Sequence, residues 1–346
     1  MSYTGNFEGA TTALITPMHS NGEIDWASFE KNLCFQCAYI NNILFCGTTA
    51  QSPTLIWNEH KKINEKGLRI SRGYAKPVIS GCGSNSTKEA IESTRHAYSI
   101  GADGVLHVTG YYNWPSQEGI YNHFRCIADI FDIRIIAYDV PGRGHPSINP
   151  ITRIAMAEDL GIDIVKDATG NRDIWLNTRG LANEHEIIYT MLSGDDPNTY
   201  EMMSNPEIDA DGVVSVTSNI FPKEVKNLCY ALKNKDYDNA KKIDEKIRPF
   251  NEIIGMKLNT RMKIGKKEYV IENDSYKNPI STHVAMHMLG MIDEPYVRLP
   301  LSQLTDEGYK KVGKILLQMY RKNPEIFEPI KRHFKVDIER KLKCYE

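Results

Sequence analysis

The amino-acid sequence predicts an α/β protein, a (β/α)8 TIM barrel followed by a C-terminal helical domain. Short β-rich apolar runs recur along the first two thirds of the chain, and stretches with helical period lie between them. Because a parallel crossover needs a helix to cover the sheet, this alternation indicates parallel βαβ units. Eight such units favour a closed barrel. Periodicity does not show closure, so an open doubly wound sheet remains the alternative.

The predicted barrel spans residues 1–235. Each predicted strand ends in a turn rich in Gly, Pro, Ser, Thr or Asp, and the eight strands are 12–15, 43–46, 78–81, 104–108, 133–138, 162–165, 186–192 and 212–216. Helical stretches between and after them include 26–40, 58–71, 87–100, 116–130, 150–158 and 222–232.

The strand rhythm stops near residue 236, and the pattern from there to residue 346 predicts the helical domain. Helical periods cover 237–255, 280–291 and 306–320. A polar insert at 261–277 interrupts them and is predicted to be a surface loop or a hairpin. The tail after residue 317 extends beyond the third helix, and its charge-rich last part predicts a terminal helix or a docking segment.

Composition excludes several classes of protein. The 346 residues include 42 Lys+Arg and 44 Asp+Glu, which give a net charge of −2 and no electrostatic reason to bind nucleic acid or an anionic membrane. With 41% hydrophobic and 25% charged residues the chain matches globular proteins rather than disordered ones. No apolar run approaches the roughly 18 residues of a membrane span, and no secretory signal is visible. We therefore predict a cytoplasmic protein.

The cysteine and histidine patterns give weak metal signals. Cys34 and Cys37 form a lone CxxC within a helical pattern, and no second Cys/His pair follows at zinc-finger spacing. His283 and His287 have i,i+4 spacing, but Glu does not follow His283 as it does in a zinc peptidase helix. We predict reduced thiols and no metal site.

Polar residues gather where the predicted strands end. In a (β/α)8 barrel the reactive groups come from the carboxyl ends of the strands, so these residues converge on one mouth. The strand ends, or the turns directly after them, provide Thr48, Thr49, Tyr111, Tyr112, Tyr138, Arg143, Lys166, Gly194 and Ser215.

Lys166 is the most informative of these residues. It follows the apolar run IDIV, so its amine is expected to be buried, and desolvation is expected to lower its pKa until the free amine can attack a ketone. The alternative is a structural lysine paired with Asp167 or with a carboxylate of a neighbouring loop. Hydroxyl groups on Thr48, Tyr138 and Tyr112 favour the imine hypothesis, because imine formation needs nearby groups that transfer protons.

Arg143 follows the turn Pro141-Gly142, which can direct a guanidinium group at a substrate carboxylate. A surface ion pair is the alternative interpretation. The loop at 193–196 lacks the flanking pattern of a nucleophilic serine and is predicted to offer backbone groups to a ligand.

Several segments together resemble the dihydrodipicolinate synthase family of pyruvate-dependent, lysine-imine aldolases. The resemblance runs in order from about residue 9 to 317, and its segments include GTTAQSPTLIWNEH, GCGSNSTKEA, YYNWPSQEGIYNHF, YDVPGR, VKDATGN, LSGDD, DGVVSVTSNIFP and VRLPLSQLTDEG.

The resemblance implies an enzyme of lysine and diaminopimelate biosynthesis. Lys166 would form an imine with pyruvate, and the resulting enamine would attack L-aspartate 4-semialdehyde. Tyr138, Thr48 and Tyr112 would relay protons, with Tyr112 coming from a neighbouring subunit. The substrate-binding residues would be Thr49, Arg143, Gly194 and Val214. The resemblance further implies a homotetramer built as a dimer of dimers, and no metal or organic cofactor.

The same resemblance suggests a regulatory site for L-lysine. Glu89 would receive an ammonium group and Trp57 would cover its aliphatic stem. The full set of positions is Ser52, Pro53, Trp57, His60, Asn85, Glu89 and Tyr111.

Several positions depart from the family pattern, among them Gly144 and His145 after Arg143. Ala50 and Gln51 stand where Gly and Glu are usual, so a left-handed backbone there would require a different loop. Asp139 replaces a usual Asn beside Tyr138, and we expect its charge to affect that tyrosine's pKa. These departures leave two alternatives: a related aldolase or lyase acting on another aldehyde or a sugar acid, and a non-catalytic sensor of pyruvate or lysine.

Overall fold

Eight parallel strands close into a barrel in the computed structural model, which describes residues 5–345. Each strand pairs with the next one along the chain, and Gly9–Ala13 pairs with Gly212–Ser215 to complete the ring. The predicted barrel is confirmed and the open sheet is wrong. The strands are β1 Gly9–Ala13, β2 Asn42–Phe45, β3 Val78–Gly81, β4 Gly104–Val108, β5 Arg134–Asp139, β6 Ile164–Asp167, β7 Thr190–Ser193 and β8 Gly212–Ser215.

A helix follows every strand and covers the outside of the barrel. These helices are α1 Trp26–Tyr39, α2 Trp57–Gly73, α3 Thr87–Ser99, α4 Gln117–Ala128, α5 Pro150–Leu160, α6 Arg172–Glu184, α7 Thr199–Ser204 and α8 Pro222–Lys233. Side-chain caps explain several starts: Asp25, Ser86 and Ser116 each accept a hydrogen bond from a backbone N–H of the first turn.

Two of the differences from the predicted strand bounds concern the sixth and seventh strands. β6 continues through Asp167, so Lys166 lies within the strand and not after it. β7 begins at Thr190, four residues later than predicted, because the preceding residues complete the end of α6. There the N–H groups of Glu186 and Ile187 bond to the carbonyls of Asn183 and Ala182.

The interior of the barrel is packed with apolar side chains and is not an open channel. Leu44, Ile79 and Leu106 meet Tyr138 and Leu192 there, and all five are buried. A larger apolar cluster lies between the strands and the surrounding helices. The polar strand ends are therefore confined to the mouth.

The chain after α8 forms helices and one long hairpin. Its elements are α9 Tyr237–Asn251, β9 Met256–Ile264, β10 Lys267–Tyr276, α10 Ile280–Met288, α11 Asp306–Lys322, α12 Glu328–Phe334 and α13 Ile338–Leu342. The predicted insert is thus an antiparallel hairpin, and it starts before residue 261. Its base is buried at Met256, Leu258 and Tyr276, while most of the ribbon is exposed. The domain boundary at 235/236 stays a prediction.

The tail packs against α1. The rings of Phe334 and Phe35 lie 5.3 Å apart at 67°, and Nε2 of His333 lies 2.9 Å from the carbonyl oxygen of Lys31. Ile338 and Leu342 of α13 are fully buried. The last helices are therefore part of the apolar core.

Across residues 5–345, none of the helices combines the length and the apolar character needed to cross a bilayer.

The buried imidazole of His107 makes stability depend on pH. His107 lies on β4 with Nε2 3.0 Å from Oγ1 of Thr94, and burial lowers its pKa from 6.5 to about 3. The unfolded chain therefore takes up this proton at a higher pH than the folded chain. The stabilisation is complete above about pH 6.5 and is lost as the pH falls towards 3. At pH 5 this residue is expected to reduce the free energy of unfolding by about 2 kcal/mol.

Urea unfolding at pH 7 and pH 5 measures this effect. His107→Gln should lose about 2 kcal/mol less between the two pH values than the wild type does. His185→Gln, which removes a partly exposed imidazole, is the control and should behave as the wild type. An unchanged pH dependence in His107→Gln would contradict the assignment.

Candidate active site

Lys166 and Tyr138 are direct neighbours across β6 and β5. Their Cα atoms are register partners, and Nζ of Lys166 lies 4.0 Å from the centroid of the Tyr138 ring. Lys166 is only 5% exposed and Tyr138 is 7% exposed. The strand pairing thus places a buried amine against an aromatic face.

Asp139 does not share the site with Tyr138. Successive side chains of a strand point to opposite faces, so Asp139 points outwards to α5, where its Oδ2 lies 2.7 Å from Nη2 of Arg153. Its pKa is raised by burial, with Arg153 opposing that shift. The negative charge of Asp139, which follows Tyr138 in the sequence, is therefore paired with Arg153 on the other face of the strand.

The turn after β2 carries both threonines. Thr48–Ala50 form a single 3-10 turn, in which Thr49 is buried and Thr48 is half-buried. The left-handed residue of this turn is Gln51, with φ of 58°. Its side-chain oxygen accepts a hydrogen bond of 2.8 Å from the backbone N–H of Arg298.

Arg143 lies at the mouth beside Asn278, which sequence reasoning missed. Nη2 of Arg143 donates to the carbonyl oxygen of Asn278 at 2.9 Å, and Nδ2 of Asn278 donates to Oγ1 of Thr49 at 3.0 Å. Asn278 follows the hairpin and has no sequence pattern of its own, so only the tertiary structure reveals it. It connects the two residues expected to bind substrate carboxylates.

The ends of β7 and β8 complete the mouth. The N–H of Gly194 donates to the carbonyl oxygen of Asp167 at 2.6 Å, and a Cβ on Gly194 would lie 2.8 Å from Cβ of Ala168. Only glycine therefore fits at that point. Val214 is buried among the apolar side chains of the barrel interior. Burial raises the pKa of Asp195, while the charge of Lys166 opposes that shift.

One cavity of about 1030 Å³ joins the mouth to the region predicted to bind lysine. The predicted site residues that line this cavity are Thr48, Ser52, Pro53, Trp57, His60, Glu89, Tyr111, Tyr138 and Arg143. The other predicted residues, which do not line it, are Thr49, Asn85, Tyr112, Lys166, Gly194 and Val214. Tyr138 is the link, since it lines the cavity and contacts Lys166.

The far part of this cavity contains an aromatic wall and a carboxylate. The rings of Trp57 and His60 stack at 5.2 Å and 27°. Burial lowers the pKa of His60, whose Nε2 lies 2.8 Å from the carbonyl oxygen of Gly81. The exposed carboxylate of Glu89 accepts a hydrogen bond of 2.7 Å from Ser84.

Tyr112 does not line the cavity of its own chain. It is 99% exposed and has φ of 71°, in the loop after β4. Tyr111 beside it is partly buried and lines the cavity. The structure of one chain therefore does not bring Tyr112 to Lys166.

A sequence model of the Dihydrodipicolinate synthetase family matches residues 6–319. The chain belongs to this family. The family match includes the whole barrel, the hairpin and most of α11, whereas α12 and α13 lie beyond it.

Curated and solved members of the dihydrodipicolinate synthetase family match most of the chain. The 4-hydroxy-tetrahydrodipicolinate synthase of Campylobacter concisus is 34% identical over 313 residues, 90% of this chain and 96% of that protein. The chloride-inhibited dihydrodipicolinate synthase of Acinetobacter baumannii complexed with pyruvate is 33% identical, with a TM-score of 0.79 over 90% and 99% of the two chains. The enzyme of Cyanidioschyzon merolae with lysine bound is 29% identical, with a TM-score of 0.78 over 91% and 99%.

Proposed function

We propose that this enzyme, a Schiff-base-forming lyase, condenses pyruvate with L-aspartate 4-semialdehyde to give 4-hydroxy-tetrahydrodipicolinate, and that Lys166 forms the imine. The observation that carries the proposal is the buried amine of Lys166, 4.0 Å from the Tyr138 ring centroid at the mouth of a family barrel. The solved relative from A. baumannii contains pyruvate, which supports the first substrate.

The reaction begins when the uncharged amine attacks the ketone carbon of pyruvate. Loss of water gives the imine, and loss of a proton from the methyl carbon gives the enamine. That carbon then forms a bond to the aldehyde carbon of the second substrate, whose oxygen takes a proton. The amino group of the adduct attacks the imine carbon, which closes the ring and releases the amine of Lys166.

The proton transfers are assigned to Tyr138, Thr48 and Tyr112. Tyr138 and Thr48 share the cavity at the mouth, so their hydroxyls can exchange protons with a bound substrate. Tyr112 is exposed and does not line the cavity of its own chain, which fits a residue that completes the site of a second subunit. Two subunits that complete each other's sites in this way form a dimer. We propose that two of these dimers form a homotetramer, located in the cytoplasm.

Thr49 is assigned to the carboxylate of pyruvate and Arg143 to that of the semialdehyde, with Gly194 and Val214 at the wall of the site. Arg143 donates to the neutral carbonyl of Asn278. A carboxylate is the stronger acceptor for a guanidinium group, so the substrate would compete well for it.

Arg143→Ala is expected to reduce kcat/KM for the semialdehyde by about 10- to 100-fold, the value of one charge-assisted hydrogen bond. The KM for pyruvate should stay within about twofold, because the change lies outside the pyruvate contacts. Steady-state kinetics with each substrate varied in turn measures this. Arg95→Ala, on the outer helix α3, is the matched control. An equal effect on both substrates would contradict the assignment.

Borohydride reduction with pyruvate, followed by peptide mass mapping, tests the proposed function. A pyruvyl adduct on Lys166 is the expected result, and its absence would overturn the proposal. A panel of aldehydes with pyruvate separates the related aldolases, since only the proposed synthase should prefer aspartate semialdehyde.

We further propose that L-lysine inhibits the enzyme from the far part of the cavity. The site would comprise Ser52, Pro53, Trp57, His60, Asn85, Glu89 and Tyr111. The relative from C. merolae was solved with lysine bound, which supports the proposal.

Titration of the activity with L-lysine is expected to show inhibition at millimolar concentrations. Glu89→Gln should raise the half-inhibitory concentration by about tenfold, because the ammonium group loses a charged partner. Glu118→Gln, in the first turn of α4, is the control. Constant activity of the wild type across the titration would remove this proposal.

A further inference from the structure

A buried ion cluster lies directly behind the proposed catalytic pair. We call Asp139, Arg153 and Asp167 the carboxylate–arginine cluster. Nη2 of Arg153, which comes from α5, lies 2.7 Å from Oδ2 of each aspartate, and all three side chains are fully buried. The two aspartates are register partners, each one residue after Tyr138 or Lys166. One guanidinium group therefore joins β5 to β6 beside the reacting residues.

The cluster also anchors the loop that carries Arg143. The backbone N–H of Ile148, where this loop ends, donates to Oδ2 of Asp139 at 2.9 Å. Nε of Arg153 donates to the carbonyl oxygen of the same Ile148 at 3.2 Å. Both polar backbone groups of Ile148 are thus bound to the cluster, and the end of the loop is fixed to the strand that holds Tyr138.

A second loop is anchored by Asp167. Its Oδ1 accepts hydrogen bonds from the backbone N–H of Thr169 at 2.9 Å and from Nε1 of Trp175 at 2.8 Å. This loop begins directly after Asp167, which itself follows Lys166. The loop that follows the proposed nucleophile is therefore held by the carboxylate next to it.

Stability alone does not account for these charges. Removing charged groups from water is costly, and apolar residues of similar volume often stabilise a core equally well or better. What apolar side chains cannot supply is directional contact with two strands and the end of a loop at once. A guanidinium group can do so, because its donors lie in a fixed plane.

We propose that Arg153 is a positioning residue, which holds Tyr138, Lys166 and Arg143 in their mutual arrangement through the carboxylate–arginine cluster. The inference rests on the proposed function, because it assigns these three residues to the reaction. Arg153 itself lies outside the mouth and does not line the cavity.

Three variants test the inference. Arg153→Lys keeps the charge but loses the planar fork. The double variant Arg153→Met/Asp139→Asn removes one cation and one anion, so the net charge of the cluster is unchanged. Arg134→Met is the matched control, because it breaks the Arg134–Asp163 pair of 2.8 Å at the opposite ends of the same two strands.

Kinetics are measured at a temperature where circular dichroism shows each variant to be folded. Both Arg153 variants should lower kcat by roughly 10- to 100-fold, the effect of a displacement of about 1 Å in a reacting group. They should also slow borohydride trapping of pyruvate on Lys166 and raise the KM for the semialdehyde. Arg134→Met should change the melting temperature only.

Wild-type kcat, KM and trapping rate in a folded Arg153→Lys variant would overturn the inference. If that variant does not fold, the charge-conserving double variant decides by the same measurements. Losses in Arg134→Met equal to those in the Arg153 variants would also overturn it. Absence of an adduct in the wild type would instead overturn the proposed function, so the two failures are distinct.

Discussion

Replacing Lys166 with methionine is expected to lower turnover by roughly 10³-fold or more and to abolish the borohydride adduct with pyruvate. In the proposed reaction the imine forms on the amine of Lys166, near the end of the sixth strand. A methionine has no amine and cannot form it. Methionine has a similar length and no charge, so it suits a position that is 5% exposed. The expected loss is therefore chemical and not structural.

Matched measurements separate these two causes. The variant should unfold at a temperature equal to or above that of the wild type, because a buried amine has been replaced by an apolar group. Lys76→Met is the control: its Nζ donates to the carbonyl oxygen of Ile40, at the opposite end of the barrel. An adduct or substantial turnover in Lys166→Met would exclude Lys166 as the nucleophile.

Tyr138→Phe is expected to reduce kcat by about 10²- to 10⁴-fold, the range for loss of a group that transfers protons. The variant keeps the aromatic ring, and hence the 4.0 Å contact with Nζ of Lys166. Only the hydroxyl is removed. Mass spectrometry should therefore still detect the pyruvyl adduct, although it forms more slowly.

The control for this experiment is Tyr121→Phe, on the outer face of α4. Its hydroxyl donates to Asp159 at 2.9 Å, far from the mouth in the architecture of the barrel. This variant should show the wild-type kcat. If Tyr138→Phe also shows the wild-type kcat, the proton relay must use other hydroxyls.

The barrel could be predicted because its signals are local. Alternating strand and helix patterns depend on neighbouring residues, and the ends of parallel strands must meet at one mouth. The positions of Thr48, Tyr138 and Lys166 followed from that rule alone. The start of β7 could not be predicted in this way, because residues with a strand-like pattern complete the end of α6.

Other features depend on contacts between distant parts of the chain. Asn278 reaches Thr49 across 229 positions, and nothing in its surrounding sequence indicates this. Arg153 lies in an outer helix of the barrel, where an arginine normally faces solvent. Its complete burial became visible only when the two aspartates were placed beside it. The charge of Asp139 was noticed in the sequence, but its partner was not.

The tail that packs on α1 has a practical consequence for work on this protein. The family match ends at residue 319. Beyond it, Phe334, Ile338 and Leu342 of this chain are buried in the apolar core. A chain shortened to the family length would leave Phe35 and its neighbours facing water. The apolar core therefore continues beyond the end of the family match, and a recombinant protein should extend at least through Leu342.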